Sequence, residues 1–215
     1  MTYKELIDKV STIIQDPSFT DEVIGDYLNQ AQVEIAGGMM STLGSWITPP
    51  LPNLLTVDTV TTAIDAAYVS MPSNFQRTLQ FAASSNGYEL DIAESFISFS
   101  TAHPLLNQVG PIHEVIEAGG SLYYQGIPAA AEDITLHFYR APTAMEDEED
   151  EPDGIPVHLQ LSLLVNHAAW KLFELIEDDF TSAGANTQRY QTLFMHASRV
   201  LELSIPNDAR GMSLS

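Results

Sequence analysis

Apolar residues recur at helical spacing at both ends of the chain and lose that period through the middle. The pattern therefore predicts helical ends around a centre of strands and turns. Thr2 and Glu5 stand at capping-box spacing, with Met1 and Leu6 placed as a hydrophobic staple, and Leu6, Val10, Ile13 and Ile14 follow on one face. Asp16-Pro17 stops that helix. Thr20 before Asp21-Glu22 starts a second, whose face is Ile24, Leu28, Ala31 and Ile35 and whose stop is Gly37-Gly38. Near the other end, Pro156 suits a first helical turn, and Leu161, Leu164, Val165, Ala168, Leu172, Leu175 and Ile176 draw a stripe to about Asp178. A polar break at 179–185 precedes a last helix with the face Tyr190, Leu193, Phe194, Ala197, Val200 and Leu201, ended by Pro206.

Between these ends, periodicity fails from Met39 to about Asp65, where Thr48-Pro49-Pro50-Leu51-Pro52 reads as an extended passage pinned by Trp46 and Leu51. A segment this long without regular structure reads as a binding loop, so Trp46, Pro49, Pro50 and Leu51 are candidate subunit or tail contacts. Alternation then predicts strands at 67–71, Arg77 to Phe81 and Tyr88 to Ile92, and Phe96 with Phe99 marks a short helix at 93–98. The strongest hairpin signal is Ile112–Glu117 and Ser121–Gln125 around Ala118-Gly119-Gly120. Ile134, Leu136 and Phe138 alternate with polar neighbours in one more strand. The expected fold is α+β. Residues 1–38 and 155–205 form a helical core, 39–154 a β-rich insertion with long loops, and 206–215 a polar tail.

Charge alters this picture more than overall composition does. Twenty-nine acids face eight basic residues, a net charge of −21, and the bases are scattered. A nucleic-acid grip needs clustered Lys and Arg to neutralise phosphates, so this chain is expected to repel DNA. Glu146, Asp147, Glu148, Glu149, Asp150 and Glu151 are consecutive and predict a solvated, mobile loop. The absence of cysteine excludes disulfides, thiol catalysis and thiolate metal sites. No run approaches the roughly 20 apolar residues of a membrane span, and Met1-Thr2-Tyr3-Lys4-Glu5 is not a signal peptide. The expectation is a soluble protein made in a cytoplasm.

Candidate chemistry is sparse. His113-Glu114 opens a sequence like the zinc-protease motif, but Glu117 stands where the second histidine ligand belongs, on a predicted strand. Histidines 103, 137, 158, 167 and 196 have no ligand spacing, and His167 and His196 suit packing or an interface. The acidic run lacks the calcium-loop pattern. Glu174, Glu177 and Asp178 read as wet helix-surface acids before they read as a general acid–base pair. Neither a nucleophile elbow nor a phosphate-cradling loop is present. The reading assigns no catalytic residue, metal or cofactor.

Several segments together carry a family likeness. Asp26-Tyr27-Leu28-Asn29 lies on a Thr-Asp-Glu-capped helix ending in Gly-Gly. Pro50-Leu51-Pro52 precedes Val57-Asp58-Thr59-Val60-Thr61-Thr62, and Ala67-Tyr68-Val69-Ser70-Met71-Pro72-Ser73-Asn74-Phe75 follows. Phe138-Tyr139-Arg140-Ala141-Pro142 leads to an acidic loop and a long helix with Ala169-Trp170-Lys171-Leu172. Over residues 2 to 200 the chain resembles the head–tail adaptor (connector) proteins of tailed bacteriophages. The resemblance implies a virion protein in a homo-oligomeric ring, typically of twelve, between the portal protein and the tail nozzle or tail-tube proteins. Double-stranded DNA would pass through its lumen without specific binding. It also implies a portal contact from the C-terminal segment, which here holds Ile205, Pro206, Arg210, Met212 and Leu214. The rival readings are an acidic DNA mimic that inhibits a nucleic-acid enzyme and a phage-encoded metal-dependent hydrolase.

Overall fold

Helix α1 (Tyr3–Ile14) begins where its cap predicts. The Glu5 amide donates to Thr2 Oγ1 while the Thr2 amide donates to the Glu5 carboxylate, and Gln15 closes the helix in the left-handed region. Helix α2 (Asp21–Gly37) starts from Thr20, whose hydroxyl accepts the Val23 amide. A computed structural model of the chain describes residues 1–38, 50–177 and 184–205. Within them the protein is α+β, and it divides into two compact units. One joins Met1–Leu54 to Ala141–Ser215; the other is Leu55–Arg140.

The first unit is helical. After Pro156 comes α4 (Val157–Gln160), which runs through a π turn (Leu161–Val165) into α5 (Asn166–Ile176); α6 (Ala185–Ser204) follows. Both α1 and α2 pack on α5 and on the π turn, and α6 packs along α5. Leu6, Val10, Leu28 and Ile35 from one end of the sequence are buried, as are Leu164, Ala168, Leu172, Phe194 and Leu201 from the other.

The second unit holds two sheets. In the first, β7 (Asp133–Arg140) lies between β1 (Leu55–Thr61) and β3 (Phe75–Ser84), antiparallel to both. The second has the order β2 (Tyr68–Ser70), β6 (Ser121–Tyr124), β5 (Glu114–Ala118) and β4 (Asp91–Ile92). Gly119 and Gly120, at φ of 59° and 79°, make the β5–β6 turn with the backbone that two-residue hairpins require. Val60, Leu79, Val115, Leu122, Tyr124, Ile134, Leu136 and Phe138 form one core from both sheets.

The structure departs from the sequence reading in three places here. Residues 55–61, expected to lack regular structure, form strand β1. Only Val60 of that strand is buried, so its sequence carries no two-faced signal. The strand expected over Tyr88 to Ile92 keeps only Asp91–Ile92, because Leu90 turns to donate its amide to Ala82. The short helix begins later than expected, at Phe96, since Ser95 accepts the Ser98 amide and caps it; this is α3 (Phe96–Ala102).

Candidate functional site

The acidic run is the most distinctive feature of the helical unit, and polar side chains of α2 hold it in place. The Asn29 side-chain amide donates to the Met145 carbonyl and its oxygen accepts the Met145 amide, both at 2.9 Å. One turn on, Gln32 donates to the Thr143 carbonyl at 2.7 Å and accepts the Asp153 amide at 2.8 Å. Asn29 and Gln32 thus act as pieces of backbone that grip the loop at both shoulders. Gln32 is almost completely buried, and its two bonds to the loop are part-buried. The Met145 side chain is buried beneath the loop.

The tip is held by α1. The amides of Tyr3 and Lys4, left without partners by helix geometry, donate to the carbonyls of Asp150 (2.7 Å) and Glu148 (3.1 Å). Within the loop, the Asp150 carboxylate accepts the amides of Glu146 at 2.8 Å and Asp147 at 2.9 Å, which hold it below the ordinary aspartate range. At the exit Gly154 has φ of 79°, and a Cβ there would come within 2.6 Å of the Leu54 side chain. The run expected to be mobile therefore has a fixed backbone. Within the chain Glu146, Asp147, Glu148, Glu149 and Glu151 are exposed, and Asp150 is partly covered. The positive end of α1 beneath it favours this concentration of negative charge.

Two further carboxylates organise the helices. Glu177, at the end of α5, accepts the backbone amides of Thr187 (2.9 Å) and Asn186 (3.3 Å) and both their side chains, so it caps α6. The Thr187 amide is the main reason its carboxyl lies below the usual glutamate range. His167 is fully buried against Trp170 and Phe194, with Nε2 3.0 Å from a Glu34 carboxylate oxygen. That approach is close but poorly aligned for a hydrogen bond, and Nδ1 has no partner. His167 nonetheless keeps the Glu34 carboxyl below its ordinary range, against the opposing effect of burial.

The remaining candidates are dispersed. Leu51 is buried and Pro50 partly so, while Trp46 and Pro49 lie outside the described residues. Ile205 is buried in its own chain; Pro206, Arg210, Met212 and Leu214 lie outside the described residues. Glu114 and Glu117 sit on strand β5, and His103 Nε2 lies 2.7 Å from Glu114. No three His, Asp or Glu side chains converge as a metal-ligand group among the described residues. No helix there is long and apolar enough to cross a membrane. Asn29, Gln32 and Glu177 escaped the sequence reading as site-building residues, and no local signal marks the two amides, because their partners are more than a hundred residues away.

A helical unit whose side-chain amides fix a charged surface loop suits a protein that presents a surface to partners. The comparison with family models agrees: the model described as SU10 adaptor protein matches residues 1–212, and the chain belongs to that family. It is a phage structural adaptor, a component of the virion. No curated protein matches the chain.

Proposed function

We propose that the chain is one subunit of a ring, most simply of twelve copies, seated between the portal protein and the tail, through which double-stranded DNA passes. Helices from the two ends of the chain form the bundle that frames the ring. The β-rich insertion and the passage around Trp46, Pro49 and Pro50, anchored by the buried Leu51, supply contacts to neighbours or to tail proteins. The C-terminal segment beyond the buried Ile205, with Pro206, Arg210, Met212 and Leu214, reaches the portal.

The observation that carries this reading is the acidic loop, fixed in backbone and exposed in its carboxylates. Twelve copies at −21 sum to about −250 charges, a field that gives passing DNA no point of adhesion. Adjacent carboxylates cannot be buried together without matching cations, since each unpaired buried charge costs several kcal/mol. The loop therefore faces the lumen or the outer rim and stays out of subunit contacts. Subunits of equal charge repel, so raised salt favours their association.

Light scattering of the chain on portal particles tests the ring: a mass increment of about twelve subunits with cyclic averages by microscopy is expected. Absence of a cyclic arrangement refutes it. Replacing Glu146 to Glu151 with Ser and Gln should leave folding and rings intact and alter DNA passage, whereas loss of the ring would make the loop an assembly contact. Removal of 206–215 should abolish portal attachment, and normal recovery on portals would remove the tail from that role.

A further inference from the structure

An asparagine that precedes glycine can react with its own backbone, because no side chain guards the next nitrogen. Of the eight asparagines in this chain, only Asn86 precedes a glycine. Asn86-Gly87 lies in the tight turn that follows β3. There Gly87 donates its amide to the Ser84 carbonyl and Ser84 donates to the Tyr88 carbonyl, both at 2.8 Å. Gly87 has φ of 79° and nothing within 4 Å of where a side chain would begin. Residues 85–89 are all exposed, and among the described residues the Asn86 side chain has no hydrogen-bond partner. Its amide is free to turn, and the Gly87 nitrogen is restrained by the turn bond to Ser84. A bond at an exposed turn opens locally at little cost.

The other asparagines lack one or both conditions. Asn29, Asn166 and Asn186 have their side-chain amides bonded, to Met145, Ser162 and Glu177. Asn53, Asn74 and Asn107 are exposed but precede Leu54, Phe75 and Gln108, whose side chains crowd the nitrogen to be attacked. Asn207 precedes Asp208 and lies outside the described residues. Asp153-Gly154 is the aspartate counterpart of the pair, in a locked setting. The Asp153 carboxylate accepts the Thr143 amide at 2.9 Å, its own amide donates to Gln32 at 2.8 Å, and Gly154 packs on Leu54.

We propose that Asn86 is a site of spontaneous deamidation through a succinimide. The Gly87 nitrogen gives its proton to solvent base and attacks Asn86 Cγ. The N–Cγ bond forms, the Cγ–Nδ2 bond breaks, and the amide nitrogen takes a proton from water and leaves as ammonia. Water then opens the ring. Addition at Cγ gives aspartate; addition at the main-chain carbonyl gives isoaspartate, whose backbone runs through Cγ and is one carbon longer. The reaction needs no oxidant, cofactor or partner, and it does not depend on assembly into a ring. Each event leaves the chain one charge more negative than −21. The longer isoaspartyl backbone breaks the match between the Ser84–Gly87 and Ser84–Tyr88 bonds, so the turn loosens.

The full-length folded protein, held in mildly alkaline buffer and sampled over time, tests this, with a zero-time digest setting the background. The expected mass shift equals the excess of a carboxyl over an amide and falls in the peptide carrying Asn86, with isoaspartate the larger share. Asn86→Gln should abolish that shift and leave the unfolding midpoint where it was. Aged protein should be cut by protease within 84–89 faster than fresh protein. A shift spread evenly over Asn53, Asn74, Asn86 and Asn107 overturns the proposal. So does a shift at Asn86 that appears only after denaturation, since the folded turn would then protect it. Isoaspartate forming as fast at Asp153 in the folded chain would also overturn it, because exposure and free space would not be what selects Asn86.

Discussion

The two units of this protein are stabilised by different means. The β-rich unit satisfies its backbone through strand ladders and fills its interior with Leu122, Ile134, Leu136, Phe138 and the ring of Tyr124. The helical unit buries Gln32, Gln160, His167, Thr187 and Ser198 as well as its apolar stripes. Its helices satisfy their own interiors, but their ends and the loops between them do not, so particular side chains complete the hydrogen bonding. The β-rich unit should therefore answer to lost volume, and the helical unit to a lost donor or acceptor at unchanged volume.

The largest effect is expected at Phe138. Phe138→Ala removes a fully buried ring from the central strand and should cost about 3–5 kcal/mol, read by denaturant unfolding. Amide exchange should rise first across β1, β3 and β7, and protection lost first in α1 and α2 would break the comparison. Gln32→Leu comes next. It keeps roughly the same volume but removes the bonds to the Thr143 carbonyl and the Asp153 amide, both part-buried, at about 0.5–1.5 kcal/mol for each. Unchanged exchange of the Thr143 to Asp153 amides in this variant would show that the side chain does not hold the loop.

Smaller again is Glu177→Gln, which weakens the α6 cap and should cost about 0.5–2 kcal/mol. Its folded carboxyl lies below the ordinary range, so its contribution is complete above the unfolded glutamate value and is lost as pH falls through the folded one. The wild-type advantage over Glu177→Gln should shrink on acidification below about pH 4.5, and an advantage that grew there would contradict the assignment. Asp150→Asn should be the mildest. Asp150 shares the sign, with stability present above the unfolded aspartate value and lost below it. The expected change is faster exchange of the Glu146 and Asp147 amides with the unfolding midpoint unmoved, since the backbone bonds to Tyr3 and Lys4 remain.

What could be read from sequence follows from how local each signal is. Thr2 and Glu5 cap α1 three residues apart, and Gly119-Gly120 makes its own turn, so both are legible in a short window. Strand β1 was invisible because Leu55 and Val57, its apolar residues ahead of Val60, face solvent instead of alternating with it into the core. The acidic run is legible in sequence as charge but not as a fixed structure. Asn29 and Gln32 look like ordinary polar positions on a helix, and only the fold brings Met145, Thr143 and Asp153 to them. In sequence Glu177 reads as a wet surface acid because its partners belong to the next helix.

The Gly119-Gly120 turn also has a practical use. Nothing lies within 4 Å of where a side chain on either glycine would begin, so the hairpin tip opens to free space. Exposed tips of this kind accept inserted sequence more readily than packed segments. A short epitope or fluorophore-binding peptide placed there would mark each subunit on its β-rich unit. Counting such labels on single virions would then report copy number in the assembled particle.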